Sequence, residues 1–238
     1  MIRLDKVLSH LGYGSRKEVK EIIRKGLVSV NGNIIKNDDF KIDEKQDEII
    51  LLNEKINYEK FVYLIMNKPA GVVSATYDSN EKTVLDLIDG YEKRGLFPIG
   101  RLDKDTTGLL ILSNDGKLAH QLLSPVSHVS KVYEVNFTGI YQEKFVEQFR
   151  NGLILEDGMK CLPAELRLIK EGFATIKIME GKFHQVKRMF ECVGLKVTAL
   201  KRVSFGGLIL PEGICLGDFR PLELSELELL KLKDVPKN

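Results

Sequence analysis

The stretch Pro98-Ile99-Gly100-Arg101-Leu102-Asp103-Lys104-Asp105-Thr106-Thr107-Gly108-Leu109-Leu110-Ile111-Leu112 opens on a charged, turn-prone segment and ends in an apolar run fit for a strand. It sets Asp103 two residues after Arg101 and just ahead of that run. A carboxylate beside a cation at the mouth of a sheet can act as a nucleophile or a base. The tetrapeptide Arg101-Leu102-Asp103-Lys104 also occurs as Arg3-Leu4-Asp5-Lys6, so the four letters decide nothing without their surroundings.

Those surroundings are a chain of 238 residues, longer than the roughly 100–200 of one ordinary domain. Its 43% apolar and 29% charged residues suit a globular protein with a buried core. The net charge, 36 − 34 = +2, neither demands nor excludes a polyanionic partner. Cys161, Cys192 and Cys215 are odd in number and far apart, which predicts reduced thiols and a cytoplasmic protein. The four histidines, His10, His120, His128 and His184, lack metal-ligand spacing, and no metal is expected. No run is apolar enough for a signal peptide or a membrane span. Neither Gly-x-Gly-x-x-Gly nor a P-loop occurs, so no nucleotide cofactor is expected.

The first part, 1–52, reads as a small domain. Leu4, Val7, Leu8 and Leu11 share a helical face over 3–11. Ser15-Arg16-Lys17-Glu18 fits a capping box opening a second helix, which Gly26 stops. Val28-Ser29-Val30 alternates as a strand, and Asn31-Gly32 signals a hairpin returning through Ile34-Ile35. Arg16, Lys20 and Arg24, four apart, form one basic ridge, with Arg3, Lys6, Lys17 and Lys25 nearby. A single charged helix face is usually just solvated, but the scarcity of acids before Asp38 favours phosphate contact.

Residues 53–60 are polar and read as a linker. The second part, 61–238, is strand-rich: strands are expected at 62–66, 109–112, 132–137, 153–155, 166–169, 174–178, 197–200 and 208–210. Helices are expected at 83–87, 117–123, 142–150, 184–192 and 225–232. The absence of regular βαβ alternation predicts an α+β fold with a mixed or mostly antiparallel sheet.

Four segments of this part stand out: Asn67-Lys68-Pro69-Ala70-Gly71-Val72-Val73-Ser74; the opening stretch; Ser130-Lys131-Val132-Tyr133-Glu134-Val135; and Met179-Glu180-Gly181-Lys182-Phe183-His184-Gln185-Val186-Lys187-Arg188-Met189-Phe190. Each alone also fits a plain connector, turn, core strand or solvated helix start. Together, and behind the pattern Ser15-Arg16 … Ile23 … Gly26-Leu27-Val28-Ser29-Val30-Asn31-Gly32, they resemble the RsuA branch of the pseudouridine synthases with an N-terminal S4 RNA-binding domain. Gly100-Arg101-Leu102-Asp103-x-x-Thr106-x-Gly108-Leu109 is the most specific element of the match, which extends to Gly217-Asp218-Phe219-Arg220-Pro221-Leu222.

The resemblance implies isomerisation of uridine to pseudouridine in RNA without a cofactor. It implies that Asp103 is the essential aspartate, as nucleophile or as base, and that Tyr133 stacks on a uracil flipped out of folded RNA. Burial works against a charged carboxylate and a neighbouring cation works for it; Arg101 and Lys187 are the candidates, with Arg188 next to Lys187 an alternative. Leu200 is an expected apolar pocket wall. His184 to Phe190 and the turn Ser204-Phe205-Gly206-Gly207 are most similar to the small-subunit enzymes, implying 16S rRNA or an assembling small subunit as partner and the uridine-516 class of site. A 23S rRNA enzyme, or a non-catalytic S4-type assembly factor, are the competing readings. An RNA hydrolase has no metal cluster or acid–base pair to support it.

Overall fold

The structure, a computed structural model, describes residues 1–44, 46–56 and 58–234; residue 57 of the expected linker and residues 235–238 of the expected second domain lie outside that description. The chain divides into two compact units, one of residues 1–62 with 90–96, the other of residues 63–89 with those from 97 onward.

In the first unit β1 (Ile2–Arg3) leads into α1 (Leu4–His10), and α2 (Arg16–Arg24) follows. The capping box forms: the Glu18 amide donates to the Ser15 hydroxyl at 3.4 Å and the Ser15 amide to the Glu18 carboxylate at 2.7 Å. Leu4, Val7 and Leu8 bury against Val19 and Ile23, as the helical spacing requires. β2 (Val28–Val30), β3 (Asn33–Ile35), β5 (Ile49–Leu51) and β6 (Glu54–Ile56) form an antiparallel sheet in the order β3-β2-β5-β6, while β4 (Lys41–Ile42) pairs with β1. Asn31 and Gly32 both take positive φ, 50° and 79°, the requirement of a type I′ hairpin.

The expected linker is in part a strand. Residues 54–56 are an edge strand paired with β5, and Ile56 lies in the core. Their polar composition misled because Glu54 and Lys55 face solvent, as edge-strand charges do.

The second unit is a mixed sheet in the order β11-β12-β10-β13-β9-β7-β15. Its strands are β7 (Tyr63–Lys68), β8 (Phe97–Ile99), β9 (Thr107–Ser113), β10 (Lys131–Thr138), β11 (Glu165–Lys170), β12 (Phe173–Ile178), β13 (Lys196–Phe205), β14 (Leu208–Ile209) and β15 (Phe219–Pro221). β8 and β14 pair with β9 and β13, and α3 (Gly116–Leu123), α4 (Lys144–Asn151), α5 (Gln185–Glu191) and α6 (Leu224–Lys231) accompany the sheet. β9 and β13 run parallel; the other pairings are antiparallel. The architecture is the expected α+β class.

Three expectations differ. The strand at 153–155 is a single bridge, Ile154 to Lys160, and the helix at 83–87 is a 3₁₀ turn, Leu85–Leu87. β13 is ten residues long, reaching well past residue 200, because the charged Arg202 that hides its continuation is itself buried.

The opening stretch sits at the centre. Leu109 to Leu112 are all fully buried, so both faces of β9 are covered, and this accounts for an unbroken apolar run in place of alternation. Gly108 pairs with Arg202 at φ 102°, where a Cβ would stand 2.2 Å from the Arg202 carbonyl oxygen. No larger residue fits that approach.

Candidate active site

Asp103 lies on the loop between β8 and β9, and that loop is held by its backbone. The Lys68 ammonium, at the end of β7 and fully buried (0% exposed), donates to the carbonyls of Pro69, Asp103, Lys104 and Thr106 at 3.0, 3.1, 3.3 and 2.9 Å. The Ser74 hydroxyl donates to the Leu102 carbonyl at 2.9 Å and accepts from the Leu102 amide at 3.0 Å. The Gly71 amide bonds the Lys104 carbonyl at 2.8 Å. The segment 67–74 is thus a brace for the Asp103 loop. Burial pushes the Lys68 pKa down to about 8 against the charges of Asp105 and Asp103.

The braced carboxylate sits in a pocket with Arg101, Thr106, Tyr133, Ile178, His184, Val186 and Leu200 in its walls. Tyr133 comes from β10, Leu200 from β13 and Ile178 from the end of β12. Tyr133 lies across from Arg202 and Val135 across from Leu200, so the 10–13 strand pair carries both the aromatic and the aliphatic wall. The Thr106 hydroxyl is buried without a hydrogen-bond partner among the described residues.

The cation at Asp103 is Lys187. Its Nζ is 3.3 Å from Asp103 Oδ2 and 2.6 Å from Asp105 Oδ1, and His184 Nε2 is 3.6 Å from Asp103 Oδ1. Burial works against the Lys187 ammonium, but the Asp105 hydrogen bond and the Asp103 charge outweigh it and hold the pKa above the usual lysine range. Asp105 is pulled below the ordinary carboxylate range, chiefly by its hydrogen bond from Lys187, against burial. A carboxylate that is 27% exposed, paired on one side and walled by apolar and aromatic groups, can attack an electrophilic carbon or take a proton.

Two sequence expectations change. Arg101 is exposed at the pocket and makes no ion pair with Asp103 among the described residues. The arginine–aspartate pair belongs to the other copy: Arg3 Nε and Nη2 donate to Asp5 at 2.9 and 2.8 Å. Arg188 pairs with Asp157 at 2.6 Å, because one step along α5 turns it away from the Asp103 carboxylate that Lys187 reaches. Sequence reasoning also passed over Lys68, His184 and Asp105. Lys68 left a signal, a lone cation closing an apolar strand; the other two left none beyond proximity.

In the first unit, Arg3, Arg16, Lys17, Lys20 and Arg24 line one hollow together with Asp5 and Glu21, and Lys6 is exposed on α1. The ridge is less free than its spacing suggests. Asp38 pairs with Arg24 at 2.5 Å and lies 3.8 Å from Lys20, and Asp39 pairs with Arg3. Neutralising Arg16, Lys20 and Arg24 together is expected to weaken RNA binding and to lower the log–log salt slope by roughly two, rather than by the larger value of three free phosphate contacts. A slope unchanged by the triple substitution, in filter binding across a salt series, would show the ridge to be a solvated face.

Residues 62–192 match the model of the RNA pseudouridylate synthase family, and residues 2–49 match the S4 domain. An uncharacterised RNA pseudouridine synthase of Bacillus subtilis, YtzG, is 44% identical over 96% of this chain and 98% of its own length. The ribosomal large subunit pseudouridine synthase B of Bacillus subtilis is 37% identical over 100% of this chain and 99% of its own. The ribosomal small subunit pseudouridine synthase A of Vibrio cholerae is 36% identical over 95% and 98%. A crystal structure of a pseudouridylate synthase, 34% identical, covers 97% of this chain and 100% of its own with a TM-score of 0.69. With a family model matching 62–192, more than half of the chain, and relatives of 36–44% identity over nearly their whole length, the chain belongs to the RNA pseudouridylate synthase family.

Proposed function

We propose that this enzyme isomerises one uridine of small-subunit (16S) ribosomal RNA to pseudouridine in the cytoplasm, on the free RNA or an assembling subunit, with Asp103 as the catalytic carboxylate. The observation that carries the reading is that Asp103, Tyr133 and Leu200, from three distant parts of the chain, line one pocket, with Lys187 paired to the Asp103 carboxylate. The reaction breaks N1–C1′, turns the uracil and joins C5 to C1′, leaving the atom count unchanged. The target base leaves its stack, at a cost of a few kcal/mol. Tyr133 offers it a stacking face worth about 1–3 kcal/mol. Leu200 and Ile178 form the apolar wall around it. Lys187 pairs with Asp103; as a point charge it can swing between Asp103 and Asp105 where an arginine fork would fix on one.

The small-subunit target rests on His184 to Phe190 and on Ser204-Phe205-Gly206-Gly207, and the uridine-516 class of site follows from it. The large-subunit reading stays as the alternative because the Bacillus subtilis large-subunit enzyme matches the chain end to end. Mapping pseudouridines in both ribosomal RNAs from cells with and without the gene decides between them. Loss of one site from 16S RNA is expected. Loss from 23S RNA alone overturns the target and keeps the chemistry; no loss in either overturns the ribosomal assignment.

A further inference from the structure

The loop between β12 and α5 is fixed at its backbone yet presents an aromatic ring to solvent. Gln185 is buried; its side-chain amide donates to Glu180 at 2.8 Å and its carbonyl accepts from the Lys182 amide at 3.0 Å. Glu180 also accepts from the Leu162 amide at 2.8 Å, and the Gln185 amide bonds the Lys182 carbonyl at 3.2 Å. Between these ties stand Phe183 and His184. Phe183 is 71% exposed, and His184 takes a left-handed backbone, φ 49° and ψ 29°, that a histidine adopts only at a cost. The two rings stack with centroids 3.8 Å apart and planes 18° from parallel. His184 Nε2 is itself 3.6 Å from Asp103.

We propose that the outer face of Phe183 is a stacking subsite for a nucleobase adjoining the target uridine. Neither the Asp103–Lys187 pair nor the Tyr133 wall uses Phe183, so its exposure on a rigid loop has no other account in the site. The imidazole closes one face of the ring and ties it to the pocket; the opposite face is open. A ring in this place meets the base next to the one held over Asp103, when the flipped uridine leaves its neighbours unstacked. Stacking is indifferent to base identity, so this subsite adds affinity and holds the strand without setting the sequence read.

The inference rests on the enzyme acting on RNA and not on which ribosomal RNA it acts upon. The probe is therefore a stem–loop transcript around whichever uridine the wild-type enzyme modifies, with 2-aminopurine on either side of that uridine in turn. Quenching of the fluorophore on one side is expected with wild-type protein and with Phe183→Trp, and its loss with Phe183→Leu. Phe183→Leu is expected to raise KM about tenfold with kcat within about twofold, and Phe183→Trp to restore it. Equal quenching by wild type and Phe183→Leu, or a KM unmoved by the leucine, overturns the subsite. A wrong choice between the two ribosomal RNAs changes only the transcript used.

Discussion

Asp103→Asn is expected to lower pseudouridine formation by about 10⁴-fold or more while RNA affinity stays within about twofold. Asparagine keeps the shape of the side chain and removes the charge, so it can neither attack carbon nor accept a proton as a carboxylate does. The hydrogen bonds that hold the loop do not use that charge. The loop is held through main-chain atoms of Leu102, Asp103, Lys104 and Thr106, by Lys68, Ser74 and Gly71, and none of those bonds reaches the carboxylate. Lys187 retains Asp105 at 2.6 Å when Asp103 loses its charge. Asp5→Asn is the matched control. Asp5 is buried and doubly bonded by Arg3, with its pKa held down chiefly by that bond, so its loss should cost about 1–3 kcal/mol of stability and leave turnover intact. Mass-spectrometric counting of pseudouridine per RNA, beside thermal unfolding of both variants, reads the two effects. Substantial turnover by the Asp103 variant, above about 1% of wild type, removes Asp103 from the catalytic role.

The contrast between the two Arg-Leu-Asp-Lys copies shows what was legible in the letters. The capping box at Ser15 and the Asn31-Gly32 hairpin could be read because each depends on contacts within a few residues, and the α+β class because the order of elements lacks regular βαβ alternation. The central strand could be read because burial on both faces leaves an apolar run. The partner of Asp103 could not be read locally. Arg101, two residues away, points elsewhere, and the cation comes from Lys187, 84 positions on and delivered by the packing of α5. Adjacent positions on α5 face different ways, and the ion pairs decide between them: Lys187 meets Asp103 and Arg188 meets Asp157. The expected linker failed for the converse reason: β6 is an edge strand whose exposed residues are as polar as a loop, and only its pairing with β5 reveals it.

Lys68→Met is the substitution that separates holding the loop from doing the chemistry. Methionine fills similar space without a donor. The Asp103 and Lys104 carbonyls keep bonds from the Thr106 and Gly71 amides, whereas those of Pro69 and Thr106 lose the ammonium. Leaving the buried Thr106 carbonyl unpaired costs about 1–3 kcal/mol and the half-buried Pro69 carbonyl less, offset in part by no longer burying a charge, so a net loss of about 1–3 kcal/mol is expected. A loop displaced by a fraction of an ångström should slow turnover about 10²-fold with KM changed little. The pH dependence gives a separate check. Lys68 loses its proton near pH 8 in the folded protein and near 10.5 in the unfolded chain. Below about pH 7 both states are protonated, and the cost of burying the charge is constant. Between about 8 and 10.5 the unfolded chain alone binds the proton, so the stability of wild type relative to Lys68→Met should rise with pH, by at most 1.36 kcal/mol per unit. Urea unfolding of both proteins across that range measures the difference. A difference that stays flat to pH 10 would mean that the four carbonyls hold the ammonium against burial and that Lys68 remains charged throughout.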